Sequence, residues 1–402
     1  MQPHLPLYSS HYSQPLFTSP SQLNLPSSSC LHGRLSKHKR QTQLHHRTSM
    51  LAAPALRQLL GVLLLQTILL LWPAVVRARV TALIVFGDST VDAGNNNAVP
   101  TVVRSNFPPY GRDFPGRRAT GRFCNGRLAT DFYSQAYGLR PFVPAYLDPD
   151  YGIRDFATGV CFASAGSGLD VATAGVFSVI PLWKQVDYFR DYKQRLAAHL
   201  GAAEAAAVVS DAVYAISVGT NDFIENYFAG TTRRFLQFSV AEYTDFLVGL
   251  ARALLVELYG LGARKVAFTG LAAAGCLPLE RARRMMLCAE EYNAAARSFN
   301  AALRGMVDEL ADDLPGAQLR FADVYDFFAD ILSYPARYGF TKAEVGCCGT
   351  GTYEMGYTCS AWDARTCRDA DSYVFWDAVH PTERANRIIA DYLFNTTFSQ
   401  FL

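Results

Sequence analysis

The chain has 402 residues, 50% of them hydrophobic and 18% charged, with a formal net charge of +2. Seven of its basic residues precede residue 79 and no acidic residue occurs before Asp88; without that stretch 30 Lys and Arg face 35 Asp and Glu, a formal charge of −5. A mildly acidic body with no basic stripe argues against nucleic acid or an anionic membrane surface as the main partner.

Residues 1–49 are rich in Ser, Pro, His and Gln, carry Arg34, Lys37, Lys39, Arg40 and Arg47, and show no apolar period. They are expected to form a disordered N-terminal extension, either sequence upstream of a start at Met50 or an acid-poor transit peptide. Residues 50–78 have the pattern of a signal peptide: a lone Arg57, an apolar stretch, Pro73, and the exit Val76-Arg77-Ala78, with cleavage expected after Ala78. The uncharged run over 58–76 has 19 residues, close to the roughly 20 that span a bilayer, so an uncleaved anchor is the alternative. Either outcome exports the rest, because the basic flank lies on the N-terminal side. The expected location is secreted, extracellular.

The body, residues 79–402, is long enough to bury a sizeable core as a single domain. Residues 80–86 are a nearly continuous apolar run ending in a Gly-Asp turn, which predicts a central parallel strand. Similar runs follow at 212–218, 265–269 and 319–324, and segments of helical period lie at 182–200, 240–258, 280–314 and 382–393. This alternation predicts an α/β fold, a parallel sheet covered by helices on both faces, with function at the carboxyl ends of the strands. Residues 95–126, crowded with Gly, Pro, Asn and Arg, and 339–371, crowded with Gly, Cys and Tyr, read as long ordered loops and as walls of a substrate cleft.

Eight of nine cysteines fall in the body, at positions 124, 161, 276, 288, 347, 348, 359 and 367. On an export route an even count points to disulfides, though eight cysteines allow 105 pairings. The crowd from Cys347 to Cys367 is expected to form local bridges; a zinc site is the rival reading, without a histidine nearby to support it. Cys161, in an apolar stretch, reads as a buried thiol.

Only His199 and His380 of the eight histidines lie beyond residue 46. Ser89 sits on a Gly-Asp-Ser turn just past the first strand, and a serine hydroxyl is a poor nucleophile unless a base takes its proton. His380 is the candidate base. In Asp377-Ala378-Val379-His380-Pro381 a carboxylate three residues upstream is placed to hold one ring nitrogen while the other faces Ser89, and Pro381 is expected at the first position of the closing helix. Taken singly these are a turn serine, a helix-start histidine and a surface carboxylate; together they are the parts of an acyl-transfer site. Gly219-Thr220-Asn221-Asp222 puts the Asn221 amide at a strand's carboxyl end, and the small residues of 162–168 offer Gly166 N–H, so that with Ser89 N–H three donors are available to an oxyanion. His199, just before Gly201, reads as a helix-end residue suited to the dipole. Asn395-Thr396-Thr397 is the one Asn-x-Ser/Thr site, a candidate for glycosylation.

In order along the body stand Phe86-Gly87-Asp88-Ser89, Asp92-Ala93-Gly94-Asn95-Asn96-Asn97, Pro108-Pro109-Tyr110-Gly111, Gly121-Arg122-Phe123-Cys124-Asn125-Gly126-Arg127, Gly275-Cys276-Leu277-Pro278 and Tyr373-Val374-Phe375-Trp376-Asp377. The set resembles the plant GDSL esterases and lipases of the SGNH hydrolase superfamily. The resemblance implies a three-layer α/β/α flavodoxin-like fold and no metal or organic cofactor. It also implies Ser89 as nucleophile, Asp377 and His380 as its supporting pair, and Ser89, Gly166 and Asn221 as the oxyanion hole. The implied activity is a secreted esterase or lipase acting on small-molecule, lipid or polysaccharide esters through an acyl-enzyme. An acyltransferase using the same machinery and an inactive binding protein are the rivals. Thr90 stands where the family name has Leu, Cys161 where many members have Asn, and Ala272-Ala273 where Pro-Pro is usual. These departures bear on pocket shape rather than on chemistry.

Overall fold

Five short segments form one sheet in the computed structural model, which describes residues 80–360 and 365–402 together with Gly61. The expected extension at 1–49 and signal peptide at 50–78 lie outside the described residues, Gly61 apart. The strands are β1 (Leu83–Gly87), β2 (Gly159–Cys161), β3 (Val213–Ser217), β4 (Lys265–Thr269) and β5 (Gln318–Ala322), all parallel, in the order β2-β1-β3-β4-β5. This is the doubly wound order in which strand order reverses beside β1 and a crevice opens at the carboxyl edge. Leu83, Val213, Lys265 and Gln318 lie in register, as do Gly87, Ser217, Thr269 and Ala322. The loops that follow the four longer strands therefore emerge at one edge.

Side chains of a strand alternate between faces, and the two faces carry separate cores. Ile84, Phe86, Tyr214, Ile216 and Phe268 pack under the helices α2 (Leu182–Leu200), α3 (Ala202–Asp211), α4 (Val240–Gly260) and α5 (Glu290–Asp313). Leu83, Val85, Val213, Ala215 and Ala322 pack under α1 (Ala129–Ala136), α6 (Tyr325–Ser333) and α7 (Glu383–Thr396). The result is the three-layer α/β/α fold. In α7 the buried Ala385, Ile389 and Leu393 recur every four residues, so one stripe meets the sheet. Each fully buried large side chain, such as Phe189 or Leu303, contributes about 1.5–3 kcal/mol. Among the described residues no helix is long and apolar enough to cross a membrane.

Three local expectations are corrected. Residues 280–314 are not one helix: a short helix at Pro278–Ala282 ends in a turn with Met285 and Met286 at positive φ, and α5 starts only at Glu290. The Cys276–Cys288 disulfide, with its two Cα atoms 4.4 Å apart, holds the chain folded back at this turn. Within 339–371, Lys342–Gly346 form a strand, β6, paired in parallel with β7 (Tyr373–Phe375) as a small second sheet. Five residues with only Ala343 and Gly346 buried carry too little alternation to be legible. Pro381 is not the first helical residue; Thr382 is the N-cap of α7, its hydroxyl accepting from Ala385 N at 3.2 Å.

The cysteine crowd closes as Cys347–Cys367 and Cys348–Cys359, so its four thiols are in disulfides rather than around zinc. Cys124 and Cys161 are buried free thiols, with burial pushing the Cys161 thiol up to about 12.

Candidate active site

The turn after β1 is set by Gly87, whose φ of 147° and whose missing Cβ, which would lie 2.0 Å from Ser217 O, leave room for no other residue. Asp88 N donates to Ser217 O at 3.0 Å, and the chain then turns so that Val91 N and Asp92 N both reach Asp88 O. Ser89 is thereby presented at the carboxyl edge, nearly buried. Gln185 of α2 grips the same turn from behind: its Oε1 accepts from Gly87 N at 3.0 Å and its Nε2 donates to Gly87 O at 2.9 Å.

The loop after β2 is held beside it by side chains of the Asp92-to-Asn97 segment. Asp92 Oδ2 accepts from Ala165 N at 2.9 Å, Asn95 Nδ2 donates to Cys161 O and Ala163 O, and Asn96 Nδ2 donates to Ala165 O. Gly166 follows at φ 82°. On the other side the turn after β3 leads through Asn221 into a π-helical stretch, Asp222–Tyr227. Asp222, wholly buried, accepts from Leu169 N, Asp170 N and the Thr173 hydroxyl, and Asn221 Nδ2 donates to Ser167 O at 2.9 Å. That bond uses one of the two Asn221 amide protons, leaving the second for another acceptor.

Asp377 and His380 come from the turn between β7 and α7. Asp377 Oδ1 accepts from Val379 N at 2.9 Å, His380 N at 2.7 Å and His380 Nδ1 at 2.9 Å, so the imidazole and its carboxylate form one rigid unit. The Phe123 ring packs 4.8 Å from the imidazole, centroid to centroid. His380 Nε2 is buried and has no hydrogen-bond partner among the described residues. Ser89, Gly166, Asn221 and His380 all line one cleft of about 250 Å³. Its outer walls are Val102, Val103 and Phe123 from one long loop and Met355 to Thr358 from the other, as expected of those loops. His199 is exposed in the last turn of α2 and Asn395 in the last turn of α7, neither of them on the cleft.

The family described as GDSL-like Lipase/Acylhydrolase matches residues 83–393. GDSL esterase/lipase At2g42990 of Arabidopsis thaliana is 54% identical over 320 residues, covering 79% of this chain and 91% of that protein. The chain belongs to the GDSL lipase/acylhydrolase family. GDSL esterase/lipase At2g04570 of the same plant is 52% identical over 327 residues, covering 81% and 93%. A solved lipase structure from a goat rumen metagenome aligns with a TM-score of 0.34 at 13% identity, over 80% of this chain and 99% of that one. This GDSL protein is a carboxylic ester hydrolase, and its substrates are small-molecule esters.

Two groups around the GDSL site had no role assigned from sequence. Tyr110 donates its hydroxyl to Asp377 Oδ2 at 2.8 Å and accepts from Gly356 N at 2.8 Å. Burial, and then the charge of Asp377, hold its phenol far above the ordinary range, so it remains a donor. Its signal was present in Pro108-Pro109-Tyr110-Gly111, but without a partner to give it meaning. Gln185 had no signal, being one polar residue in an amphipathic helix. Asp88 is pushed up to about 6 by burial, against the Thr90 hydroxyl and N–H it accepts from and the nearby charge of His380. Among the described residues no group of three His, Cys, Asp or Glu side chains is placed to hold a metal ion.

Proposed function

We propose that this GDSL hydrolase is a secreted serine esterase working through an acyl-enzyme. Ser89 Oγ attacks the ester carbonyl carbon as its proton passes to His380 Nε2; the alcohol leaves with that proton; water, deprotonated by the same nitrogen, then releases the carboxylic acid and restores Ser89. Asp377 holds the imidazole through Nδ1 and stabilises its charged form. Ser89 N–H, Gly166 N–H and Asn221 Nδ2 are the oxyanion donors. One observation carries this reading: in the cleft lined by Ser89, the buried His380 Nε2 is unpartnered while Nδ1 is held by Asp377 at 2.9 Å. Three disulfides support an oxidising destination and hence export. On this proposal residues 1–49 are an extension, 50–78 a removed signal and 79–402 the hydrolase domain.

The test uses protein collected from the medium of a eukaryotic expression host, where N-terminal sequencing should read Arg79-Val80. Wild type should be labelled by a fluorophosphonate and should hydrolyse 4-nitrophenyl esters. Ser89→Ala and His380→Ala should lose turnover, and Asn221→Ala should lose about 10²–10³ in kcat. Full turnover by Ser89→Ala would refute the serine mechanism, and retention inside the cell would refute export.

A further inference from the structure

Behind the cleft lies a second space of about 130 Å³ that the chemistry above does not use. It sits under the carboxyl ends of β3, β4 and β5, bounded by residues of α1, α6 and α7. Leu271, Leu277, Val324, Phe328, Ile389 and Leu393 are among the apolar residues of its wall. At the end of the space toward the β1 turn, the Thr90 hydroxyl bonds to Asp88 Oδ1 at 2.7 Å and to the Ser217 hydroxyl at 2.9 Å, so the methyl side of Thr90 is what remains for a ligand. Close-packed interiors keep few voids larger than a water molecule. An apolar void of this size at the edge where ligands of α/β sheets bind is therefore a candidate subsite.

The space adjoins the reacting serine. Thr90, next to Ser89 in the chain, lines it, and Val379 lines both it and the cleft, its N–H anchored on Asp377 Oδ1 at 2.9 Å. An ester bound with its carbonyl oxygen toward Gly166 and Asn221 sends its acyl chain and its alcohol in different directions. On the cleft's outer wall Val102 is 67% and Tyr357 50% exposed, so a leaving alcohol meets solvent there. The inner wall presents buried apolar side chains instead, Phe328 and Leu393 among them. The geometry points to this inner space as the binding site for the acyl chain of the substrate, a linear aliphatic chain of up to about six carbons, entering past Val379. The capacity follows from comparison with engineered apolar cavities of about 150 Å³, which stay dry and bind benzene. The assignment rests on Ser89 as the reacting residue. Ala272 also lines the space, which offers a place to shorten it without touching the reacting groups.

The experiment has two arms. In the first, 4-nitrophenyl esters from acetyl to dodecanoyl are compared in wild type, Ala272→Leu and the milder Ala272→Val. Wild-type kcat/KM should peak at acyl chains of about four to six carbons; Ala272→Leu should keep acetyl hydrolysis within about two-fold and lower hexanoyl hydrolysis about ten-fold or more, with Ala272→Val between them. In the second, hexan-1-ol is titrated calorimetrically into Ser89→Ala and into the Ser89→Ala, Ala272→Leu double variant, expecting about ten-fold weaker binding to the latter. Equal losses for acetyl and hexanoyl esters, or hexanol binding indifferent to Ala272→Leu, would overturn the subsite. Retained turnover in Ser89→Ala would instead overturn the serine mechanism, and the hexanol arm would still decide the cavity.

Discussion

Asp377 carries more than the imidazole. Its two oxygens accept from two backbone N–H groups, from His380 Nδ1 and from the Tyr110 hydroxyl, all with almost no solvent exposure. The phenol holds Oδ2, which also lies 2.9 Å from His380 Nδ1, so it fixes the carboxylate against the ring. Tyr110 does not line the cleft, so its removal should act through the orientation of Asp377 and His380 rather than through substrate contact. Tyr110→Phe is expected to lower kcat about ten-fold, equivalent to about 1.4 kcal/mol of barrier, with KM nearly unchanged. Steady-state kinetics decide this: a raised KM at full kcat would make Tyr110 a wall of the site instead. The chemical groups at this scale were legible because a short string such as Asp377-Ala378-Val379-His380 contains both partners. Tyr110 was not, because it meets Asp377 across 267 positions.

Among the elements, α4 shows how a helix is specified locally. Ser239 accepts from Glu242 N at 3.3 Å, while Glu242 Oε2 accepts from Ser239 N at 2.7 Å, a reciprocal capping box. Tyr243, Leu247, Ala251, Leu254 and Leu258 then form the stripe that faces the sheet. Ser239→Ala should destabilise the fold by about 1 kcal/mol, read as a lower urea midpoint at unchanged kcat, since the helix start is remote from the cleft. No shift in the midpoint would show that Glu242 caps the helix unaided. Elements with caps and several turns of period, such as α2, α4 and α7, were readable from residues alone. The three-residue β2 was not, nor was the break before α5, because a short strand has no period and a disulfide between Cys276 and Cys288 acts through space.

Over the whole molecule, three buried carboxylates set a pH dependence. Burial, against several hydrogen bonds, pushes Asp88 and Asp92 up to about 6 and Asp222 up to about 7. An unfolded Asp loses its proton near pH 3.9, so between about pH 4 and pH 7 the folded chain holds protons that the unfolded chain has released. Stability therefore falls as pH rises through that window: the contribution is complete below about pH 4 and gone above about pH 7. Thermal unfolding should give a Tm several degrees lower at pH 8 than at pH 5, and Asp222→Asn should flatten the slope; a Tm that rises over that range would contradict these protonation states. Asp88 and Asp222 also flank Ser89 and Asn221 in the chain, so the turns that present the proposed nucleophile and oxyanion donor share this sensitivity. By itself the sequence determined which groups are available and which runs become strands and helices, because side-chain chemistry and hydrophobic period are properties of a short window. Only the tertiary structure decided that Ser89, Gly166, Asn221 and His380 share one cleft, that Cys276 pairs with Cys288, that Gln185 grips Gly87 across 98 positions, and that an apolar space lies behind Val379. Those facts depend on strand order, register and packing between distant segments, and no local pattern records them.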